Sequence, residues 1–294
     1  MSVPPLFRGL FDDAALFPPG NAPMAEAVVG HARYRQDWYA DLVARFVCPV
    51  GRLSELDSAL AELAGAQVTA GGQAATGSPA QGSALEISMT VPGGPADLAP
   101  ALTAAEACPR LRAGAIELPV PAAELPAALD ELGRIAQAGM TVFVEVAVSE
   151  VTRELAAALR AAGLGLKLRT GGGTAADFPD TGSLAQAIEA AVAAGVRFKC
   201  TAGLHNALGH VEEATGWAHH GFLNVLLAVH AAQSGAAPAA QVLASRDGAA
   251  LAEQARDLSP SEVSALRAGF ASIGSCSVVD PLTDLTELGL VSAA

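Results

Sequence analysis

Two short β-rich segments carry the residues best suited to chemistry. In Gly165-Leu166-Lys167-Leu168-Arg169-Thr170 and Arg197-Phe198-Lys199-Cys200-Thr201, apolar and polar side chains alternate. Successive side chains of a strand leave by opposite faces. With Leu166, Leu168, Phe198 and Cys200 packed on helices, Lys167, Arg169, Lys199 and Thr201 share the other face. The same alternation adds Glu117, between Ile116 and Leu118, and Glu145, between Val144 and Val146. It also adds Glu86, Ser88 and Thr90 from the segment 85–91. Buried charges are costly unless paired. Acids and bases gathered on one face therefore describe either a structural lattice of ion pairs or a polar site.

The chemistry open to a site of this kind is specific. Two neighbouring, partly buried ammonium groups depress one another's pKa. A neutral lysine, Lys167 or Lys199, can then attack a carbonyl to form a Schiff base. Glu117 or Glu145 can carry protons, and Arg169 suits a carboxylate or phosphate through its forked geometry. Thr170, Gly172 and Thr201 stand beside them as substrate-binding candidates. His205, just past the second lysine segment, suits hydrogen bonding or proton transfer. The small-residue turn Gly274-Ser275-Cys276-Ser277 offers Ser275 and Ser277 to a phosphate.

Those residues need a frame. From residue 23 onward, short β-rich runs alternate with Ala/Leu/Glu-rich helical runs. The pattern predicts strands over 45–49, 85–91, 115–120, 141–148, 165–170, 197–201, 241–244 and 271–277. Helices are predicted over 24–43, 53–64, 122–138, 150–162, 184–194 and 261–269. Gly139, Gly163 and Gly195 close helices just before strands, as C-terminal caps do. Eight such units predict an α/β fold of the (β/α)8 TIM-barrel kind, aldolase-type. The boundaries are a helical extension over 1–43, packed on the barrel, and a single barrel domain over 44–294. An open doubly wound sheet is the alternative, but no GxGxxG follows the first strand. A Gly/Ala/Gln/Ser-rich linker over 65–83 falls at the barrel bottom. Strand-to-helix loops build the working face of such barrels, and two are long: 171–182 and 202–219.

The segments LKLRTGGG (166–173) and FKCTAGL (198–204) resemble the two lysine strands of deoxyribose-phosphate aldolase. That resemblance implies a Schiff-base lyase on a barrel with a phosphorylated substrate. It also implies that Lys167 forms the imine and Lys199 lowers its pKa. Three features differ: the lysines count here as strands five and six rather than six and seven; Arg169 replaces a small residue; Glu145 stands in for a strand-four aspartate. FDDAALFPPG (11–20) and HHGFLN (219–224) resemble segments of a second bacterial family, from which no activity is implied.

Composition narrows the classes. The 294 residues are 51% hydrophobic, enough for a large core. Lys and Arg total 17 against 30 Asp and Glu, a formal charge of −13. That balance argues against nucleic acid and against an anionic membrane surface. No basic-then-apolar leader is seen, so the cytoplasm is the expected compartment. Cys48, Cys108, Cys200 and Cys276 are widely spaced and read as free, mostly buried thiols. His205, His210, His219 and His220, with Glu212 and Glu213, raise a competing metal reading, but their spacing matches no standard ligand motif. His219 or His220 is expected to pack or cap. No metal and no cofactor are expected, and no GxSxG elbow supports a serine hydrolase. Asp12 and Asp13 either face solvent or reach over one barrel end to pair with Lys or Arg.

The expectation is a barrel enzyme of lyase or aldolase type. Its partner is a small anionic metabolite bearing a carbonyl, phosphorylated or carboxylated. The rivals are an isomerase or transferase using Lys and Arg as electrostatic clamps, and a non-catalytic metabolite-binding barrel. Assembly into homo-oligomers is left open.

Overall fold

The computed structural model describes residues 3–69 and 84–293. Its strands are β1 (Phe11–Asp13), β2 (Val43–Pro49), β3 (Leu85–Thr90), β4 (Leu111–Pro119), β5 (Thr141–Glu145), β6 (Gly165–Arg169), β7 (Phe198–Thr201), β8 (His210–Val211), β9 (Ala218–His219) and β10 (Phe270–Ser275). Eight of them close a barrel in the order β1-β10-β7-β6-β5-β4-β3-β2. Neighbouring strands run parallel throughout. The chain is thus a (β/α)8 barrel. β8 and β9 form a separate antiparallel hairpin within the loop after β7.

The surrounding helices are α1 (Met24–Tyr34), α2 (Leu53–Thr69), α3 (Leu98–Glu106), α4 (Leu125–Gln137), α5 (Arg153–Ala161), α6 (Thr181–Ala194), α7 (Phe222–Ser234), α8 (Ala239–Ala244), α9 (Gly248–Asp257), α10 (Pro260–Gly269) and α11 (Val279–Glu287). Their ends follow local chemistry. Thr152 caps α5 by accepting from the Leu155 amide, and Asp180 caps α6 by accepting from Ser183. Gly195 closes α6 with φ +66°, a left-handed conformation that glycine adopts freely. Among the described residues no helix is long and apolar enough to cross a membrane.

Alternation along the strands divides the molecule into two interiors. Ile87, Met89, Ile116, Leu118, Val142, Val144, Leu166, Leu168, Phe198 and Cys200 point outward into one core shared with the helices. The inward residues fill the lumen in layers. Toward the bottom, Ala115, Phe143 and Ala271 form a small apolar cluster of their own. Gly165 makes room for it, since a Cβ there would meet the Phe143 ring at 2.6 Å. Glu86 sits at the same end, held by Arg45 at 2.8 Å and by Arg112. The polar residues lie above this layer.

Three expectations are corrected. The helix predicted over 24–43 ends at Tyr34, and Leu42 and Val43 turn inward, fully buried, to start β2. The strand predicted over 241–244 is the end of α8, which follows Pro238. The missing eighth strand is β1, inside the segment expected to be an extension. The barrel therefore begins at Phe11, not at residue 44. In addition, α2 runs on through Thr69, into the expected linker. The rest of that linker, 70–83, lies outside the described residues.

Candidate functional site

The inward residues of five strands are joined in one line of alternating charge. Asp12 on β1 accepts from Lys199 Nζ on β7 at 2.5 Å. Lys199 also donates to Glu117 Oε1 on β4 at 2.6 Å. The other oxygen of Glu117 meets Lys167 Nζ on β6 at 2.9 Å, and Lys167 meets Glu145 Oε2 on β5 at 2.9 Å. Glu145 Oε1 then accepts from Arg169 Nε at 2.9 Å. Three acids and three bases neutralise one another along Asp12–Lys199–Glu117–Lys167–Glu145–Arg169. Ser88 donates to Glu117 at 2.6 Å and Ser272 to Asp12 at 2.5 Å, satisfying the remaining lone pairs.

The line is graded in exposure. The Lys199 side chain is 2% exposed, Lys167 8%, Glu145 16% and Arg169 45%. The deep end is sealed and the shallow end meets solvent. Electrostatics follow the pairing. Burial alone would discharge Lys199, but Asp12 and Glu117 overcome it and hold the ammonium above its ordinary value. Burial likewise opposes the Glu117 charge, and Lys199 and Lys167 pull it well below the usual carboxylate range. For Glu145, burial is outweighed by Lys167 and Arg169, again lowering its pKa.

These directions fix a pH dependence. A depressed carboxylate contributes stability above its unfolded pKa and loses it as pH falls through the folded value. A raised lysine contributes below its unfolded pKa and loses it as pH rises through the folded value. With unfolded values of about 4.3 and 10.4, the contribution of this charge line to the urea unfolding midpoint should be flat from about pH 5 to 10 and fall on both sides. A midpoint that climbs through pH 10–11 would contradict the sealed Lys199 pairing.

Above the shallow end lies a cavity of about 630 Å³ over the C-terminal ends of β4, β5 and β6. Pro119, Glu145, Ser149, Arg169, Asp177 and Phe178 are among its walls. No hydrogen bond within the described residues engages the two terminal nitrogens of Arg169, whose Nε alone is paired.

The structure therefore gathers Lys167, Lys199, Glu117, Glu145 and Arg169. Lys167 and Lys199 are paired in register, on the sixth and seventh barrel strands once β1 is counted. This corrects the count of five and six. The expected mutual depression of the lysines is also corrected for Lys199, because carboxylates separate the two ammonium groups. Thr201 pairs with Arg169 across β6 and β7.

The remaining predicted residues are engaged elsewhere. Thr170 is fully buried and donates to the Ala202 carbonyl at 2.6 Å, tying the loops after β6 and β7. Gly172 lies against the Asp177 carboxylate, and Asp177 accepts from the Thr174 amide at 2.8 Å. That glycine-rich turn wraps its own carboxylate. Ser275 is buried and donates to the Ser277 carbonyl at 2.6 Å, while Ser277 Oγ donates to Asp280 at 3.0 Å. Both hydroxyls thus bond within the turn that leads into α11.

His205 stands apart from the charge line, 3.5 Å from Cys276 Sγ. His220 packs as expected, donating to the Pro179 carbonyl at 2.8 Å. His210 and His219 stack with ring centres 4.9 Å apart, and Phe178 lies 4.5 Å from His219. Among the described residues no three His, Cys, Asp or Glu side chains group as a metal site.

Sequence reasoning left Asp12 and Asp13 open, and both are buried. Asp13 accepts from His31 Nδ1 at 2.9 Å, fastening α1 to β1. A signal was available: lumenal lysines need counter-charges, and Asp12 and Asp13 were acids without an assignment.

No family profile matches the chain, and no curated protein matches it. One similar solved structure is Xanthomonas albilineans dihydropteroate synthase with 4-aminobenzoic acid. It is 18% identical with a TM-score of 0.42, over 98% of this chain and 95% of that one. A likeness this distant carries nothing about the site, and the barrel rests on the strand pairing itself.

Proposed function

We propose that the barrel acts on a small anionic carbonyl compound held over β4–β6. Arg169 holds the anion, Glu145 takes the proton and Lys167 polarises the carbonyl oxygen. The observation that carries this reading is the open end of the charge line. A sealed lattice would bury both of its ends, whereas this one meets solvent at Arg169. Here the last cation lines a cavity, and no hydrogen bond among the described residues engages its two terminal nitrogens.

The coupling is chemical. A carboxylate or phosphate on Arg169 competes with Glu145 for the guanidinium. Glu145 Oε1 then loses a donor and becomes a better base, placed to remove a proton from the carbon beside the substrate carbonyl. This is the electrostatic-clamp form of the reading. The imine form, favoured by the lysine positions on strands six and seven, puts the nucleophile at Lys167, which solvent reaches more than Lys199.

The test is a panel of 2-oxo acids and phosphorylated aldehydes, scored by melting shift and turnover. Arg169→Ala should weaken the best ligand about 10- to 100-fold, the value of a charge-assisted hydrogen bond. Equal binding by the variant, or no ligand in the panel, would reject the reading. Borohydride trapping with peptide mass analysis separates its two forms: an adduct on Lys167 supports the imine, and none supports the clamp.

A further inference from the structure

Charge around the β4–β6 cavity is lopsided. Among the described residues that line it, Arg169 is the one cation, and Glu145, Glu150, Asp177 and Asp180 are carboxylates. Lys167 lies beneath, already shared between Glu117 and Glu145. The rim acids stay charged. Asp177 accepts from the Thr174 amide and hydroxyl at 2.8 and 3.0 Å, and these bonds hold its carboxyl below the ordinary value. Asp180 accepts from the Ser183 hydroxyl and amide at 2.7 and 2.9 Å, with the same effect. One anionic group can therefore be matched, at Arg169. A second would face carboxylates, with no cation to offset its loss of water.

The remaining walls are apolar. Pro119, Val120 and Pro121 close the side over β4, and Val146 and Val148 the side over β5. Phe178, on the loop after β6, forms a third side. Its ring is held by the loop after β7. The Trp217 and His219 rings lie with centres 5.3 and 4.5 Å from it. A Cβ at Gly171 or Gly203 would come within 3.1 or 3.3 Å of Phe178 Cε1, so two glycines leave the ring its seat. The next carbonyl, of Pro179, accepts from His220 at 2.8 Å. An aromatic wall fixed in this way loses little freedom when a ligand covers it. Clefts of about 300–1,000 Å³ enclose drug-sized ligands. The cavity, at about 630 Å³, has room beyond a three-carbon acid.

We infer that the cavity selects a singly charged carboxylate with an uncharged, apolar body, and that Phe178 is a residue that sets this specificity. The inference rests on the reading of Arg169 as the holder of the anion, and narrows it. A phosphate monoester carries about −1.5 to −2 at neutral pH, and a dicarboxylate carries two charges. Each brings charge that one guanidinium among four carboxylates does not match. The carboxylate and carbonyl of the ligand lie toward Arg169 and Lys167, and its body lies along Val146, Val148 and Phe178.

The experiment is calorimetric titration of the full chain with matched compounds. 2-Oxopentanoate and 2-oxoglutarate have the same chain length and differ at the far end, a methyl group against a carboxylate. 2-Oxopentanoate should bind at least about tenfold tighter than 2-oxoglutarate or glyceraldehyde 3-phosphate, and phenylpyruvate tighter than pyruvate by a similar factor. In Phe178→Ala the preference for phenylpyruvate should fall about fivefold or more, with pyruvate binding unchanged. Binding of 2-oxoglutarate or the phosphate ester as tight as that of 2-oxopentanoate, and lost in Arg169→Ala, overturns this inference and leaves the anion site standing. That ranking is read on the wild-type protein and needs no folded Phe178 variant. A Phe178→Ala protein of normal melting temperature with the full phenylpyruvate preference overturns the role of Phe178. Binding by none of the compounds overturns the anion site and this inference together.

Discussion

Lys199→Met is expected to destabilise the protein by about 3–5 kcal/mol, the cost of leaving buried charge without its partner. The ammonium is shared between Asp12 and Glu117 at 2.5 and 2.6 Å. Methionine fills most of the volume, so the loss reports charge and not cavity. Glu117 keeps Lys167 and Ser88, but Asp12 keeps only uncharged donors, Ser272 and the Arg45 amide. Adding Asp12→Asn should recover part of the loss, because neutral polar groups are cheaper to bury than an unpaired carboxylate. Urea unfolding midpoints measure both. A loss no larger than the roughly 1 kcal/mol of a surface ion pair would mean that water reaches this end of the line.

The second large effect belongs to the other end. Glu145→Gln should lower turnover about 10²- to 10⁴-fold with little change in KM, as expected when a positioned base is removed. Glutamine preserves size and can accept from either Lys167 or Arg169 but not both, and it takes no proton. The acid limb of the wild-type rate profile should lie below the ordinary glutamate value of about 4.3, since Lys167 and Arg169 lower Glu145. Arg169→Ala should move that limb upward, because one of the two cations is gone. A Glu145→Gln protein with full rate would place the base elsewhere and remove the proposed role of the mouth.

The two ends were unequally legible in the sequence. Alternation placed Lys167, Lys199, Glu117 and Glu145 in the lumen because each lies between outward apolar neighbours, as Leu166 and Leu168 flank Lys167, and Arg169 follows two residues after Lys167. That pattern carries direction but not depth, and depth is what separates a sealed lysine from an accessible one. It also carries nothing about partners from distant segments. Phe11–Asp13 has only three residues, two of them acids, and by local propensity it reads as a turn. Its pairing with β2 and β10, distant in the chain, makes it a strand. The reverse error, at 241–244, came from a short Ala/Val/Leu run that periodicity cannot assign.

The position of β10 has a consequence for how the ring is assembled during synthesis. It pairs with β1 on one side and β7 on the other, Phe11 facing Ile273 and Phe198 facing Phe270. Until it emerges from the ribosome, the seven earlier strands can form only an open sheet with two bare edges. Pairing across more than 250 positions of chain is entropically slow. The nascent protein must therefore keep both edges from foreign strands until its final strand wedges between them.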